Sequence, residues 1–178
     1  MAGDFTSDTL ATLALSTATV TLRRASRDDV PALVGLITSD AVAQERGDVP
    51  GGDLTPYFDA FERINAAPGE LLVVADRDGE VVGTLQLSIL PGLARRGATR
   101  AQIEAVRVRE DQRGEGLGSA MLRWAVAEAQ RRGCTLVQLT SDRSRDDAHR
   151  FYERLGFVAS HTGFKMRLPA TEPRQNLF

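Results

Sequence analysis

Three glycines within five residues give this sequence its strongest chemical signal. Gly114, Gly116 and Gly118 follow a stretch typical of a strand and lead directly into an amphipathic helical pattern. Glycine lets successive backbone N–H groups turn toward one anion, and the first turn of a helix adds unpaired N–H groups and the positive end of its dipole. The spacing therefore predicts a phosphate-binding loop that needs no side-chain charge.

The loop taken alone leaves alternatives open. Glycine clusters before helices also occur in dinucleotide-binding and nucleoside-triphosphate-binding folds, but neither G-x-G-x-x-G nor a Gly-Lys-Ser/Thr ending is present here. An ordinary turn without a ligand is the second alternative.

Composition narrows the class of protein. A chain of 178 residues suffices for one domain with a core of its own. The net charge of −2 gives no basic surface for nucleic acid or an anionic membrane, so neither partner is expected. With Cys134 as its single cysteine and two histidines, the chain is expected to hold no disulfide and no metal and to be cytoplasmic.

No membrane span or secretory signal is expected either. The uncharged run over residues 9–22 is rich in Ser and Thr and shorter than the roughly 20 apolar residues that a span needs. No positive charge precedes this run.

Strand and helix patterns alternate along the chain, with Gly or Pro between them. The predicted strands are 20–24, 71–75, 81–89, 101–108, 134–139 and 164–168, the turn of the 71–89 hairpin is 76–79, and the predicted helices are 28–37, 54–64, 117–132 and 146–155.

Two segments of this pattern resemble the GNAT superfamily of acetyl-CoA-dependent N-acetyltransferases. Arg113, Gly116 and Gly118 stand where the family has Gln or Arg, two residues, Gly, one residue, and Gly or Ala. Further along, Ala148 is followed by Phe151-Tyr152 and Gly156-Phe157, the family's second signature. The resemblance covers about residues 20 to 168 of the chain.

The resemblance implies an α/β (α+β) fold with a mixed, mostly antiparallel central sheet, about four flanking helices and splayed central strands. The domain expectation is a flexible tail over residues 1–17, a single N-acetyltransferase domain over 18–168, and a C-terminal tail over 169–178.

The resemblance also implies where acetyl-CoA, the expected co-substrate, binds. The amides of its pantetheine arm would pair with the backbone of Val106 and Val108 like an added strand. Its pyrophosphate would lie on backbone N–H groups of the glycine loop, which belong to Arg113, Gly114, Gly116, Leu117 and Gly118. A Cβ at any of the three glycines would push the phosphate out.

Two residues are predicted to be catalytic. Tyr152 stands where the family places a tyrosine near the thioester sulfur, so its phenol would protonate the leaving thiolate. Glu104 would take the amine's proton, directly or through water oriented by Gln102. Strand alternation would put Glu104, Val106 and Val108 on one face unless a bulge intervenes. A backbone N–H of Val106 or Val108 would stabilise the oxyanion.

Competing interpretations exist for these side chains. Glu104 could form a structural salt bridge or only bind substrate, and Tyr152 could be a core aromatic residue. Arg145 stands where the family often has Asn, which puts cofactor contacts from that loop in doubt. A solvated role suits His149 better than proton transfer, and no base accompanies Cys134.

The acceptor is the least determined part of the prediction. The favoured function is acetylation of a small-molecule primary amine by direct attack in a ternary complex; a protein or peptide N-acetyltransferase and a non-catalytic acyl-CoA sensor are the alternatives. Acidic residues over 40–62 would attract a cationic amine, whereas Arg95, Arg96 and Arg100 would hold an anionic group, and both sets could equally be solvated surface. Family members commonly pair as dimers, so the resemblance makes a homodimer possible, and no feature of this sequence fixes the oligomeric state.

Overall fold

A computed structural model describes residues 9–39, 52–166 and 168. It contains one six-stranded sheet, in which the strands lie in chain order. The first five strands are antiparallel neighbours and the sixth pairs parallel to the fifth. The strands are β1 (Thr9–Ala14), β2 (Thr19–Arg24), β3 (Glu70–Arg77), β4 (Glu80–Leu90), β5 (Arg100–Val108) and β6 (Leu136–Leu139).

In the described part of the chain, four helices of nine or more residues accompany the sheet, so the predicted mixed, mostly antiparallel architecture is confirmed. They are α1 (Val30–Thr38), α2 (Thr55–Ala66), α3 (Leu117–Arg131) and α4 (Asp146–Arg154). The chain divides into two compact units between Ser141 and Asp142, so the sheet and α1 to α3 belong to the first unit and α4 to the second.

Helices cover both faces of the sheet. On one face, called the α1/α2 face here, Val34 of α1 and Phe61 of α2 join Val74 of β3 in a buried apolar cluster. On the other, called the α3 face, a Cβ at Gly83 would lie 3.1 Å from the sulfur of Met121. Glycine at position 83 therefore allows α3 to approach β4 closely.

The β3–β4 hairpin closes more tightly than the sequence predicts. Its strands reach Arg77 and Glu80, which leaves Asp78 and Gly79 as a two-residue turn with φ of 56° and 86°. Two consecutive left-handed residues match the twist of the flanking strands, and Asp-Gly tolerates that conformation well.

Both ends of the prediction need correction. Residues 9–14, expected within a loose tail, form β1 because their backbone pairs with β2 through a turn in which Leu15 N donates to Ala18 O. At the other end, the described residues of the predicted strand 164–168 form no strand, and the side chains of Phe164, Met166 and Leu168 are at least 80% exposed. Apolar alternation favours a strand only where one face is buried.

Candidate active site

An extra residue interrupts the ladder between β4 and β5. Gln86 pairs with Glu104 and Thr84 with Arg107, so two steps along β4 match three along β5. Ala105, inside this bulge, has a φ of 51°, which is rare for a residue with a side chain. Bulges of this kind redirect the side chains that follow them.

The bulge changes which side chains share a face. Glu104 points to the same face as its partner Gln86, whereas Val108 pairs with Gly83, whose Cβ direction is toward α3. The expectation from regular alternation, that Glu104 and Val108 share a face, is therefore wrong, because one added residue reverses a period of two.

Glu104 lies on the α1/α2 face and is exposed. Gln102 lies two residues earlier on the same face, as predicted, and pairs with Ser88. Its side-chain oxygen accepts a hydrogen bond from Gln138 Nε2 at 2.6 Å. The side chains of Gln102 and Glu104 therefore lie side by side, where a polar substrate could reach them from solvent.

The edge of β5 changes partner halfway along. Pairing with β6 runs from Arg100–Leu136 to Ile103–Leu139, while β5 continues to Val108. Within the described residues, positions 104–108 therefore pair with β4 alone and present a strand edge on the β6 side. This edge, which includes Val106 and Val108, has the form needed for the pantetheine contacts predicted above.

The glycine loop adopts a conformation that only glycine takes without strain. Gly114 and Gly116 have φ values of 86° and 85°, and Gly116 is the N-cap residue from which α3 begins at Leu117. A Cβ at either glycine would meet no protein atom within 4 Å. The space beside the loop and the N-terminus of α3, with Gly118 in its first turn, suit a phosphate group.

Side chains around the loop hold its conformation. Arg113 is exposed and its Nε donates to the carbonyl oxygen of Val108 at 3.1 Å. Arg109 bonds to Asp111 and Glu80 at 2.7 and 2.9 Å, and its hydrogen bonds lower the pKa of Asp111 to about 2. These contacts join the end of β5 to the loop and to β4.

The loop also has distant anchors that sequence reasoning missed. Arg77, at the end of β3, donates to Gln112 and, at 3.2 Å, to Glu115 Oε2, which also accepts from Thr17 Oγ1 at 2.7 Å. An acidic residue between two glycines of a predicted anion site was the available signal, because a carboxylate there must be engaged elsewhere.

A second missed group lies on the α1/α2 face. Glu70 Oε2 accepts hydrogen bonds from Gln86 Nε2 and from Ser88 Oγ, both at 2.7 Å. Because Gln86 is the cross-strand neighbour of Glu104, this network reaches the predicted base. No sequence motif marks it, since its members come together only through the ladder.

The second unit carries Tyr152 on α4. The half-buried ring contacts Phe151 and Phe157, with centroids 5.4 and 6.1 Å away. Gly156, with a φ of 91°, ends the helix, and Phe157 N donates to Tyr152 O at 3.1 Å. The aromatic contacts and the helix end restrict the orientation of the Tyr152 side chain.

The structure also shows the surroundings of His149, Arg145 and Cys134. His149 Nε2 lies 2.8 Å from the carbonyl oxygen of Asp142, so this imidazole ties α4 to the preceding loop. Arg145 is the N-cap residue of α4 and makes no side-chain cap. Burial raises the pKa of the Cys134 thiol, which disfavours a nucleophilic thiolate.

No group of His, Cys, Asp and Glu side chains in ranges 9–39, 52–166 and 168 could hold a metal ion. Among the helices of those ranges, none has the length and apolar character of a membrane span.

Known proteins are similar to this chain over most of its length. The Acetyltransferase (GNAT) family matches residues 39–157. An aminoalkylphosphonate N-acetyltransferase of Salmonella typhimurium (strain LT2) is 32% identical over 147 residues, which are 83% of this chain and 90% of that protein.

Solved structures are similar over most of this chain. A transcriptional regulator from Bacillus halodurans C-125 is 41% identical with a TM-score of 0.79, and an acetyltransferase of Trypanosoma brucei is 25% identical with a TM-score of 0.68. Each similarity covers 84% of this chain and 99% of the other. The chain therefore belongs to the GNAT family and is an acetyl-CoA-dependent N-acetyltransferase.

Proposed function

We propose that this enzyme acetylates the primary amine of a small molecule, by direct attack of the amine on acetyl-CoA in a ternary complex. The observation that carries the proposal is the 32% identity, over 147 residues, to an enzyme named for aminoalkylphosphonates. An aminoalkylphosphonate is therefore the first acceptor to test. The exposed Glu104 on the α1/α2 face supports a polar acceptor at this face.

The predicted cofactor contacts come from two places, the edge of β5 and the glycine loop. The β5 edge at Val106 and Val108 binds the pantetheine arm, and the N–H groups of 113–118 bind the pyrophosphate. Acetyl-CoA supplies the acetyl group as an activated thioester. The strand edge and the glycine loop orient it for attack, and holding two reactants in place supplies a large part of such a rate enhancement.

Proton transfer is assigned to two side chains. An alkyl amine with a pKa of about 10 is only about 0.1% neutral at pH 7, so a base is needed. Glu104 takes the ammonium proton and releases it to solvent, and its carboxylate then takes the proton that the neutral nitrogen loses as the C–N bond forms. Tyr152 supplies a proton to the sulfur as the C–S bond breaks.

The test is acetylation of defined amines with isotopically labelled acetyl-CoA. We expect 2-aminoethylphosphonate or another small primary amine to gain one labelled acetyl group, and Tyr152→Phe to lower kcat about 100-fold or more. The dissociation constant of acetyl-CoA should stay within about twofold, because the phenol acts on the leaving group.

Other outcomes have definite meanings. Labelled peptides without labelled small molecules would replace this proposal with a protein or peptide acetyltransferase. Acetyl-CoA binding without any labelled product would replace it with a sensor. Light scattering of the same preparation tests the homodimer that the family resemblance implies.

A further inference from the structure

Polar side chains cross part of the α1/α2 face. Glu70 on β3, Gln86 on β4 and Glu104 on β5 lie on this face, close to the apolar cluster that α1 and α2 cover. Glu70 lines a small cleft together with Phe61 and Asn65 of α2. Polar groups beside a core are costly unless they are hydrogen-bonded or meet a polar ligand.

Glu70 dictates how the Gln86 amide is turned. A carboxylate oxygen only accepts hydrogen bonds, so the bond of 2.7 Å requires Gln86 to present its NH2 group to Glu70. Since the amide is planar, its carbonyl oxygen points away from Glu70. Among the described residues, that oxygen has no hydrogen-bond donor.

Glu104 lies on the other side of Gln86. The two residues are directly paired, so their Cβ atoms are about 5 Å apart. Glu104 has no hydrogen bond or ion pair within the described residues. Two hydrogen-bond acceptors, one amide oxygen and one carboxylate, therefore lie next to each other on the α1/α2 face.

We propose that Gln86 and Glu104 together bind the acceptor nitrogen, and that Glu70 is a positioning residue that holds the Gln86 carbonyl available; this assignment rests on the proposed function. A neutral primary amine has two N–H groups and one lone pair. Donating one N–H to Gln86 and one to Glu104 leaves the lone pair free to attack the acetyl carbon. A secondary amine has only one N–H, so one acceptor loses its donor and the site selects primary amines.

The experiment measures kcat/KM for 2-aminoethylphosphonate and for its N-methyl derivative. The ratio used below is the value for the primary amine divided by the value for the N-methyl derivative. Gln86→Leu should lower kcat/KM for the primary amine about tenfold and hardly change it for the N-methyl derivative, because only the primary amine loses a hydrogen bond. Glu70→Gln should lower the ratio roughly threefold, since an amide at 70 no longer dictates which way Gln86 turns.

Ser88→Ala is the matched control. It removes the other hydrogen bond to Glu70 and leaves the one from Gln86, so the ratio should stay within about twofold of wild type. Calorimetric unfolding of each variant shows whether the variant is folded. Partial unfolding alone would lower the kcat/KM values for both amines equally and leave their ratio unchanged.

The results distinguish this assignment from the function on which it rests. An unchanged ratio in Gln86→Leu, with active wild type, overturns the assignment alone. An equal change of ratio in Ser88→Ala and Glu70→Gln overturns the positioning role of Glu70. If the wild type acetylates no small amine at all, the proposed function is wrong and this assignment falls with it.

Discussion

Glu70 and Glu104 lie on the same face of the sheet in very different surroundings. Glu70 is half-buried and accepts two hydrogen bonds, while Glu104 is exposed and has no polar partner among the described residues. A base must be able to meet the proton that it removes. The exposed carboxylate is therefore suited to proton transfer, and the bonded one to holding its neighbours.

Replacing Glu104 tests its role directly. Glu104→Gln keeps the size of the side chain but cannot accept a proton, so we expect kcat to fall about 100-fold or more. The affinity for acetyl-CoA, measured by calorimetric titration, should be unchanged. Retention of more than a third of the wild-type kcat would contradict the assignment and leave Glu104 as a binding residue only.

At this scale the sequence predicts Glu104 as a base and does not single out Glu70 or Gln86. Glu104 could be proposed because it lies on the same continuous strand as Val106 and Val108. Glu70 and Gln86 are separated by a hairpin, and their relation to Glu104 depends on two ladder registers. Registers are set by long-range pairing, which no local pattern of residues reveals.

At the scale of elements, β5 was predicted within one residue of its bounds but not in its shape. Nothing about Ala105 marks a bulge, because alanine has no preference for a positive φ. The bulge follows from the alignment of β4 with β5 around it. It separates Glu104 from Val108, so the predicted base and part of the predicted cofactor edge lie on different faces.

The glycine loop permits a controlled test, since two glycines share one conformation. Gly116 in the loop and Gly79 in the β3–β4 turn have φ values of 85° and 86°, and a Cβ at either meets no protein atom. Alanine at either position should cost about 1 to 2 kcal/mol of unfolding free energy.

Only the loop variant should affect the co-substrate. Gly116→Ala places a methyl group where the phosphate is predicted to lie, so the dissociation constant of acetyl-CoA should rise about tenfold, whereas Gly79→Ala should leave it unchanged. Equal affinities in the two variants would place the pyrophosphate elsewhere.

The junction of β2, α1 and β3 depends on a buried ion pair. Arg23 bonds to Asp29 at 2.7 Å and to Asp76 at 3.0 Å, and the backbone N of Ser26 donates to Asp29 at 2.6 Å. Burial alone would raise the pKa of Asp29, but the hydrogen bonds from Arg23 and Ser26 outweigh it and hold that pKa below its usual range. The ionised carboxylate therefore stabilises the fold.

The stability of Asp29→Asn should depend on pH in a defined direction. At pH 7 we expect a loss of about 2 to 3 kcal/mol, because the variant removes charged hydrogen bonds from a buried site. A lowered pKa gives stability above the unfolded value of about 3.9 that is lost as pH falls through the folded value. Urea unfolding should show the difference from wild type shrinking between pH 5 and pH 2; a constant difference would contradict this origin.

At the scale of the whole chain, the order of elements was predictable and the contacts between them were not. Alternating strand and helix patterns give the correct order of the strands and of the four longer helices from β2 to α4. The two errors in the strand assignment, at β1 and at residues 164–168, both concern segments whose pairing or burial depends on residues far away in the sequence. Thr17 and Glu115 form a hydrogen bond although they are 98 residues apart in the sequence, and no local segment of the sequence reveals such a contact.

The glycine loop predicted to bind the cofactor also depends on a contact with the β3–β4 hairpin. Arg77 joins the end of β3 to Gln112 and Glu115, and Glu115 also receives the Thr17 hydroxyl from the β1–β2 turn. Without Arg77, the Glu115 carboxylate loses its cation and can turn toward the space predicted for the pyrophosphate. A free carboxylate there would repel the phosphates and loosen the loop.

Arg77→Met should therefore weaken acetyl-CoA binding, although Arg77 is not one of the predicted cofactor-binding residues. We expect the dissociation constant of acetyl-CoA to rise three- to tenfold. The kcat at saturation should stay within about twofold, because the substitution leaves the proposed base, Glu104, in place. Arg123→Met, at an exposed position on α3, removes the same charge and should leave the affinity unchanged. If both variants weaken binding equally, total charge and not the Arg77–Glu115 contact governs affinity; if adding Glu115→Gln to Arg77→Met restores binding, the freed carboxylate is the cause.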